Sequence, residues 1–499
     1  MAHNFYRINR EQMFLMPPSL RDWVPDDDPV WFVIEAVERM ELTAFYEEYN
    51  AEGVGGKAYH PQMMLALLLY AYCQGERSSR RIENLCVRDV AFRVAASNQT
   101  PDHASIARFR KRHESALGGL LTEVLEQVQK AGLLRLGVVA LDGFKVKANA
   151  SLEASRTEEG LEGEVRRMIE EAEAVDADED RLYGAERPDR LPEGLKTRGE
   201  RLERLAAAKE VIARKKAEAV KAQEDKLAKR EADEEASGQR KRGRKPRDPK
   251  DCEPKDPKAN VTDPESRIMK TRSGVLQGYN AQLVVTEDQF ILAAELTQEE
   301  NDVKQLKPMV RRAQENLAQA GAKEEIEAVT ADAGYWSRAN MNGWREDDPE
   351  LFVATTKDWK QRKALREKPA PRGRIPESLS ARDRMERKLL TKRGRKTYSI
   401  RGKTVEPAIG QVKHVNGLTQ FQRRGTVACD SELKLTATAH NLLKMWRRLT
   451  EKGWKWGLES LRKVQGACRR RVRSLPWTFL GPVAAYDPPC HDMAILRLT

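Results

Sequence analysis

Two short apolar runs, far apart in the chain, each close on an aspartate and reach a glycine within two residues. They are Val138-Val139-Ala140-Leu141-Asp142-Gly143 and Ile326-Glu327-Ala328-Val329-Thr330-Ala331-Asp332-Ala333-Gly334. Apolar and β-branched side chains on both parities of a strand need cover on both faces, so each run reads as a central strand of a helix-covered sheet. Each strand delivers its aspartate where it leaves the core. If the two strands are neighbours, the carboxylates of Asp142 and Asp332 meet at one edge of the sheet. Paired carboxylates make a hard-oxygen site suited to Mg²⁺.

The rest of the composition agrees with a polyanionic partner. The chain has 499 residues, enough for two or three domains, and a formal net charge of +12. Long basic stretches gain affinity for nucleic acid by releasing counterions from phosphates, although a basic surface without a partner has the same composition. The six cysteines are scattered with no CxxC pair, which argues against a zinc ribbon or a disulfide framework. The N-terminus has no charged-then-apolar signal pattern, and the longest apolar run, Met63 to Cys73, is too short to span a bilayer. A cytoplasmic protein with no membrane partner is expected.

Before the first aspartate strand the pattern is helical. Asp26 to Pro29 forms a turn into a helix around 30–40, and Pro61 opens a second helix that is apolar nearly all round. Ser78-Ser79 caps a third, with Ile82, Leu85 and Cys86 on one face. Thr100-Pro101-Asp102-His103 starts a short basic helix with Ile106 and Phe109 inward and Arg108, Arg110, Lys111 and Arg112 mostly outward. A basic helix after a helical pair fits the second helix of a helix-turn-helix, which enters a DNA groove; a solvated helix face gives the same pattern. A longer helix follows from about 114 to 131 and stops at Gly132.

Between the aspartate strands the composition shifts. Residues 156–236 are rich in Glu, Lys, Arg and Ala and read as a helical hairpin broken at 188–194, then a long charged helix to about 230. A solvated spacer explains that pattern. Residues 237–262 carry a basic run and four prolines and read as disordered or extended. Within them, Arg242-Gly243-Arg244 loosely matches a minor-groove arm. From 263 three strands (266–271, 278–285, 290–296), a helix (303–320), the second aspartate strand, a helix near 338–344 and a strand at 351–356 describe a mixed α/β sheet with one meander. Residues 357–396, with sixteen Lys/Arg against five Asp/Glu, read as a basic loop on which a phosphate backbone or plain solvent can lie.

Beyond that loop stands a third carboxylate. Glu406 and Lys413 are seven apart and share a helix face, with Gly410 between them leaving room for a phosphodiester. Pro407 predicts that this helix starts near Thr404 or kinks there, with Tyr398 and Arg401 on the lead-in.

These residues, taken in order, resemble the bacterial insertion-sequence transposases of the DDE type. The matching stretches are Leu141-Asp142-Gly143, Gly278-Tyr279-Asn280-Ala281-Gln282, Ala331-Asp332-Ala333-Gly334-Tyr335, Val405-Glu406-Pro407 with Gly410-Gln411-Val412-Lys413, and Ala439-His440-Asn441-Leu442-Leu443-Lys444. Tyr398, Arg401, Glu406 and Lys413 fit the Tyr-Arg-Glu-Lys signature of one branch, with Arg401 one residue farther from the glutamate than usual. Pro101 to Arg110 resembles the N-terminal helical domain of the same group.

The resemblance implies a multidomain protein. It would comprise an all-α DNA-binding domain (1–134) and an RNase H-like mixed sheet flanked by helices (135–155 and 263–450). A charged helical insertion (156–236) and a basic linker (237–262) interrupt the sheet domain, and a tail of no assigned role (451–499) follows it. The resemblance also implies that Asp142, Asp332 and Glu406 hold two Mg²⁺ ions, with Mn²⁺ as a substitute. One ion would activate water or a DNA 3′-hydroxyl, the other would stabilise the leaving oxygen. Tyr398, Arg401 and Lys413 would hold the DNA end, with Arg108, Arg110, Arg242 and Arg244 as further DNA contacts. The implied partners are the terminal inverted repeats, target DNA and a second copy of the chain, in a nucleoid-associated setting. A DNA-binding regulator without catalysis and an RNase H-like nuclease remain as alternatives.

Overall fold

The computed structural model describes residues 19–49, 58–161, 163, 198–240, 246–249, 257–271, 274–345, 347–356, 358, 361, 363, 367–376 and 378–451. Seven helices come first: α1 (Pro29–Glu38), α2 (Thr43–Tyr46), α3 (Pro61–Cys73), α4 (Ser79–Arg88), α5 (Val90–Ala95), α6 (His103–Arg112) and α7 (Glu114–Lys130). Their starts follow local chemistry. Asp28 accepts from the Val30 amide ahead of Pro29, and Asp89 and Asp102 cap α5 and α6 through the amides of Phe92 and Ser105. Helix α3 is buried on nearly every side, as its composition requires.

The sheet is built from β1 (Val138–Lys147), β4 (Arg267–Thr271), β5 (Gly274–Thr286), β6 (Ile291–Thr297), β7 (Ala328–Ala331) and β8 (Glu350–Val353). Strands β4 and β6 pair with successive halves of one edge of β5, and β1, β7 and β8 follow on the other side. β5 runs antiparallel to β1, whereas β1, β7 and β8 run parallel. The meander and the mixed strand direction expected from the sequence are therefore both present. Helix α9 (Leu306–Gln319), the short α10 (Arg338–Asn342), α11 (Ala381–Leu390), α12 (Lys392–His414) and α13 (Thr426–Glu451) complete the layers. Helix α12 packs on β1 and β5, and α13 lies between β6 and the N-terminal helices α3 and α7. One continuous apolar core therefore runs from Val24 to Leu449. At the seam Arg77 donates to the Glu432 carboxylate and to the carbonyls of Gly417 and Gln420.

The charged segment places a 40-residue helix, α8 (Arg198–Ser237), beside a two-stranded sheet of β2 (Ser155–Arg156) and β3 (Ala259–Asn260). Leu161, Leu205, Ala208, Val211, Ile212 and Ala259 form a small separate core there. The first half of the expected hairpin, Arg242 and Arg244, and the tail from 452 lie outside the described residues.

Four expectations are corrected. Asp142 does not end its strand: β1 continues to Lys147 because β5 keeps pairing with it, and only the ladder to β7 stops, at Leu141–Ala331. Ala259 and Asn260 are not structureless, since they pair with Arg156 and Ser155 and are buried. Residues 381–390 and 392–396 are helical rather than loop, with Thr391 between the two helices, so Tyr398 and Arg401 lie on α12 itself. Pro407 sits inside α12 without ending it. The Lys403 carbonyl, which Pro407 has no N–H to reach, takes a 3.3 Å hydrogen bond from Gln289 Nε2 instead.

Among the described residues Cys73, Cys86 and Cys429 are buried free thiols, and no helix is long and apolar enough to cross a membrane.

Candidate active site

The parallel register of β1 and β7 puts Asp142 and Asp332 one residue past the last paired position, side by side where the ladder opens. Glu406 comes from α12, across the face on which Asp142 stands. The three carboxylates and Asp302 line one cleft of about 520 Å³, together with Gly143, Phe144, Arg401 and Ile409.

Arg401 organises this cleft. One guanidinium nitrogen donates to Asp142 Oδ2 and the other, at 3.2 Å, to Glu406 Oε1. The Asp142 Oδ1 accepts from the Gly143 amide at 2.9 Å. Burial nevertheless pushes the Asp142 carboxyl up to about 6, against the pull of Arg401, and the neighbouring Asp332 and Asp302 add to the rise. Burial disfavours the Arg401 charge, but Asp142, Tyr398, Asp332 and Glu406 together hold its pKa above the ordinary value. Asp332 Oδ1 accepts from the Gly334 amide at 2.6 Å. Glu406 is the exposed member, with 60% of its side chain open to solvent.

The remaining expected DNA contacts divide. Lys413 stands over the Phe144 ring, 4.9 Å from its centroid; burial lowers its pKa and Asp142 opposes that. Space beside Gly410 is open, since a Cβ there would meet nothing within 4 Å. Tyr398 lines a second cleft, which shares Arg401 and Glu406 with the first. Arg108 is exposed on α6 and, among the described residues, bonds only Ser105 of its own helix. Arg110 is corrected: it is 6% exposed, not outward, because its guanidinium is spent on Tyr72, the Arg77 carbonyl and Ser79.

Sequence reasoning missed Asp302. The signal was available in Gly278 to Gln282, where Asn280 and Gln282 put two amides on one face of an otherwise apolar strand. Both are fully buried, and both donate at 2.8 Å to Asp302 Oδ1.

Two family models match the chain: a Transposase domain (DUF772) over residues 18–112 and a Transposase DDE domain over residues 361–446. The second covers Tyr398, Arg401, Glu406 and Lys413. Both matches are to transposase domains, and together they support an insertion-sequence DDE transposase. No curated protein and no solved structure matches it. In this transposase the first match spans helices α1 to α6, and the second spans α11, α12 and most of α13. The aspartate strands β1 and β7 lie between them.

The donor set of the transposase cleft is all carboxylate oxygen, the chemistry that Mg²⁺ and Mn²⁺ prefer. Arg401 already stands with its positive charge between two of these carboxylates. Among the described residues no group of three acidic, His or Cys side chains is close enough to hold a metal as it stands. The carboxylates share a cleft but are not drawn around one point.

Proposed function

We propose that the transposase cuts and rejoins DNA strands at the terminal inverted repeats of its own element, with Asp142, Asp332 and Glu406 as its catalytic carboxylates. The observation that carries this is the adjacency of Asp142 and Asp332 at the opening between β1 and β7, with the Glu406 helix across it. A mixed sheet with a meander and a parallel half supports the RNase H-like reading of the domain.

Asp142, Asp332 and Glu406 would hold two Mg²⁺ ions, with Mn²⁺ as a substitute. Bound there, such ions supply Lewis acidity to the scissile phosphodiester and lower the pKa of the attacking hydroxyl. The protein's own groups do the positioning. Lys413, fixed over Phe144, offers an ammonium to a backbone phosphate, and the open space at Gly410 lets that backbone come close. Arg401 and Tyr398 line a cleft with Glu406 and are assigned to hold the DNA end. The exposed Arg108, Lys111 and Arg112 on α6 are available to duplex DNA further from the cut, and the segment holding Arg242 and Arg244 is assigned to phosphate contacts. Cutting and joining both ends calls for two copies of the chain on DNA.

The experiment incubates purified protein and Mg²⁺ with a duplex bearing the terminal inverted repeats of the element. Wild type nicks the end, and Asp332→Asn loses on the order of 100-fold or more of the rate while keeping its circular dichroism spectrum. Equal cleavage by Asp332→Asn overturns the reading.

A further inference from the structure

We propose that Asp302 is a fourth carboxylate of the metal site, entering the cleft from the face of the sheet opposite to Glu406. The inference rests on the reading of the cleft as a metal site and adds a ligand that reading does not contain.

Alternation along β1 turns Asp142 toward α12 and Gly143 toward the other face, where the register places Gln282 opposite Gly143 and Asn280 opposite Lys145. Asp302 lies just ahead of α9 and reaches that face. Its Oδ1 accepts from Asn280 and Gln282, with Lys145 Nζ at 3.9 Å. The orientation of Gln282 is determined by a third group. The buried Tyr335 hydroxyl donates to Gln282 Oε1, which leaves Nε2 to donate to Asp302. Burial, followed by the charges of Asp302, Asp142 and Asp332, holds the Tyr335 phenol well above its ordinary pKa, so it remains a donor. Two fully buried amides and one phenol thus fix one oxygen of Asp302.

The other oxygen, Oδ2, takes no hydrogen bond among the described residues. It lies 3.3 Å from where a Gly334 Cβ would stand, and Asp332 Oδ1 lies 2.8 Å from the same point. Gly143 is equally tight: a Cβ there would come within 2.8 Å of Asp302 Oδ1 and collide with the Gln282 amide. Gly143, inside β1, thus leaves room for the contact of Gln282 with Asp302, and Gly334 leaves room for Asp302 Oδ2 beside Asp332. A carboxylate held by donors on one oxygen, with the other turned to a neighbouring carboxylate, is arranged as a ligand or as the partner that orients one.

The test is Mn²⁺ titration of the full chain without DNA, followed by electron paramagnetic resonance, for wild type, Asp302→Asn and Asp142→Asn. Thermal unfolding in EDTA is measured alongside. The Asp302→Asn side chain keeps an oxygen for Asn280 and Gln282 and puts an uncharged amide nitrogen where Oδ2 was. Asp302→Asn is expected to weaken Mn²⁺ binding about 10- to 100-fold, as is Asp142→Asn, with unfolding of Asp302→Asn in EDTA little changed. If Asp302→Asn does not fold, Asp302→Ser, which still offers the amides an oxygen, takes its place. Wild-type affinity in the Asp302 variant with weakened binding in Asp142→Asn overturns this proposal and leaves the active-site reading intact. Unchanged affinity in both, or no Mn²⁺ binding by wild type, overturns both.

Discussion

The Arg401 guanidinium donates to the carboxylate of Asp142, a pair formed between residues 259 positions apart, and its other terminal nitrogen holds Glu406. A side-chain cation therefore occupies the ground between two carboxylates that the proposed chemistry assigns to metal. Both members of the Asp142 pair are more than four-fifths buried, so its loss is felt in full. Arg401→Gln is expected to cost roughly 1–3 kcal/mol of stability in EDTA. Mn²⁺ should then raise the unfolding temperature of the variant more than that of wild type, because the competing charge is gone. An equal Mn²⁺ shift in both proteins would show that Arg401 and metal do not compete.

The raised pKa of Asp142 has its own consequence. Below about 6 a proton occupies the carboxyl that a metal ion needs. Mn²⁺ affinity, followed by titration between pH 7.5 and 5, is expected to fall toward tenfold per pH unit once the pH is under about 6. An affinity that is flat to pH 5 would remove Asp142 from the ligand set.

The seam between the N-terminal helices and the sheet domain includes the buried pair Arg77 and Glu432. Glu432 is 1% exposed and accepts from the amides of Gln422 and Arg423 as well as from Arg77. Arg77→Leu leaves that carboxylate buried with backbone donors alone and should cost about 3–5 kcal/mol. Adding Glu432→Gln to it removes the orphan charge and should recover part of the loss. Urea unfolding of the single and double variants measures both, and a double variant no more stable than Arg77→Leu would contradict the argument.

How much of this could be read from the chain depends on where each residue gets its support. Strands β1 and β7 were legible because burial on both faces demands unbroken apolar runs, and these locate Asp142 and Asp332 directly. The first half of α12 was not legible. Its basic run contains Gly394 and Gly402, and it is held by a partner distant in sequence: Arg393 reaches Glu350, which also takes Lys388 of α11. Gly394 is needed because a Cβ there would strike the Lys388 carbonyl. Asp302 was missed for a related reason. Its own stretch is an ordinary polar turn, and its meaning lies in Asn280 and Gln282, on a strand that precedes it. Arg110 looked outward on charge alone, and only the packing of α3 and α4 around it shows otherwise.

Pro407 and Gln289 form a compensating pair. Gln289 stands in the left-handed region at φ 66, donates to Lys403, and accepts from Gln411 at 3.2 Å and Lys444 at 2.7 Å. Alanine at 289 is as strained as glutamine there, so Gln289→Ala reports the lost side-chain bonds, about 1–2 kcal/mol. Pro407→Ala returns an N–H to the Lys403 carbonyl. In that background Gln289→Ala should cost roughly 0.5 kcal/mol less, a coupling read from a double-mutant cycle in urea. Strict additivity would mean that Gln289 does not stand in for the missing helical bond.

His440 is expected to make the fold sensitive to acid. It is 3% exposed and its Nε2 donates to the Gln289 carbonyl at 2.9 Å. Burial pushes its pKa down to about 4 from the ordinary 6.5; Lys444 and Arg447 add to the fall and the Gln289 bond opposes it. Between those two values the unfolded chain binds a proton that the folded chain refuses. The stability this residue contributes is therefore full above 6.5 and is lost as pH falls toward 4, to a limit of about 3 kcal/mol. From pH 7 to pH 5 the expected loss is about 2 kcal/mol. His440→Gln keeps a donor for the Gln289 carbonyl and does not titrate. Asp142 shifts stability in the opposite direction over part of this range, but does so equally in both proteins. Urea midpoints at pH 7 and pH 5 should therefore fall further for wild type than for His440→Gln by an amount worth about 2 kcal/mol. Parallel losses in the two proteins would assign the acid sensitivity to other groups.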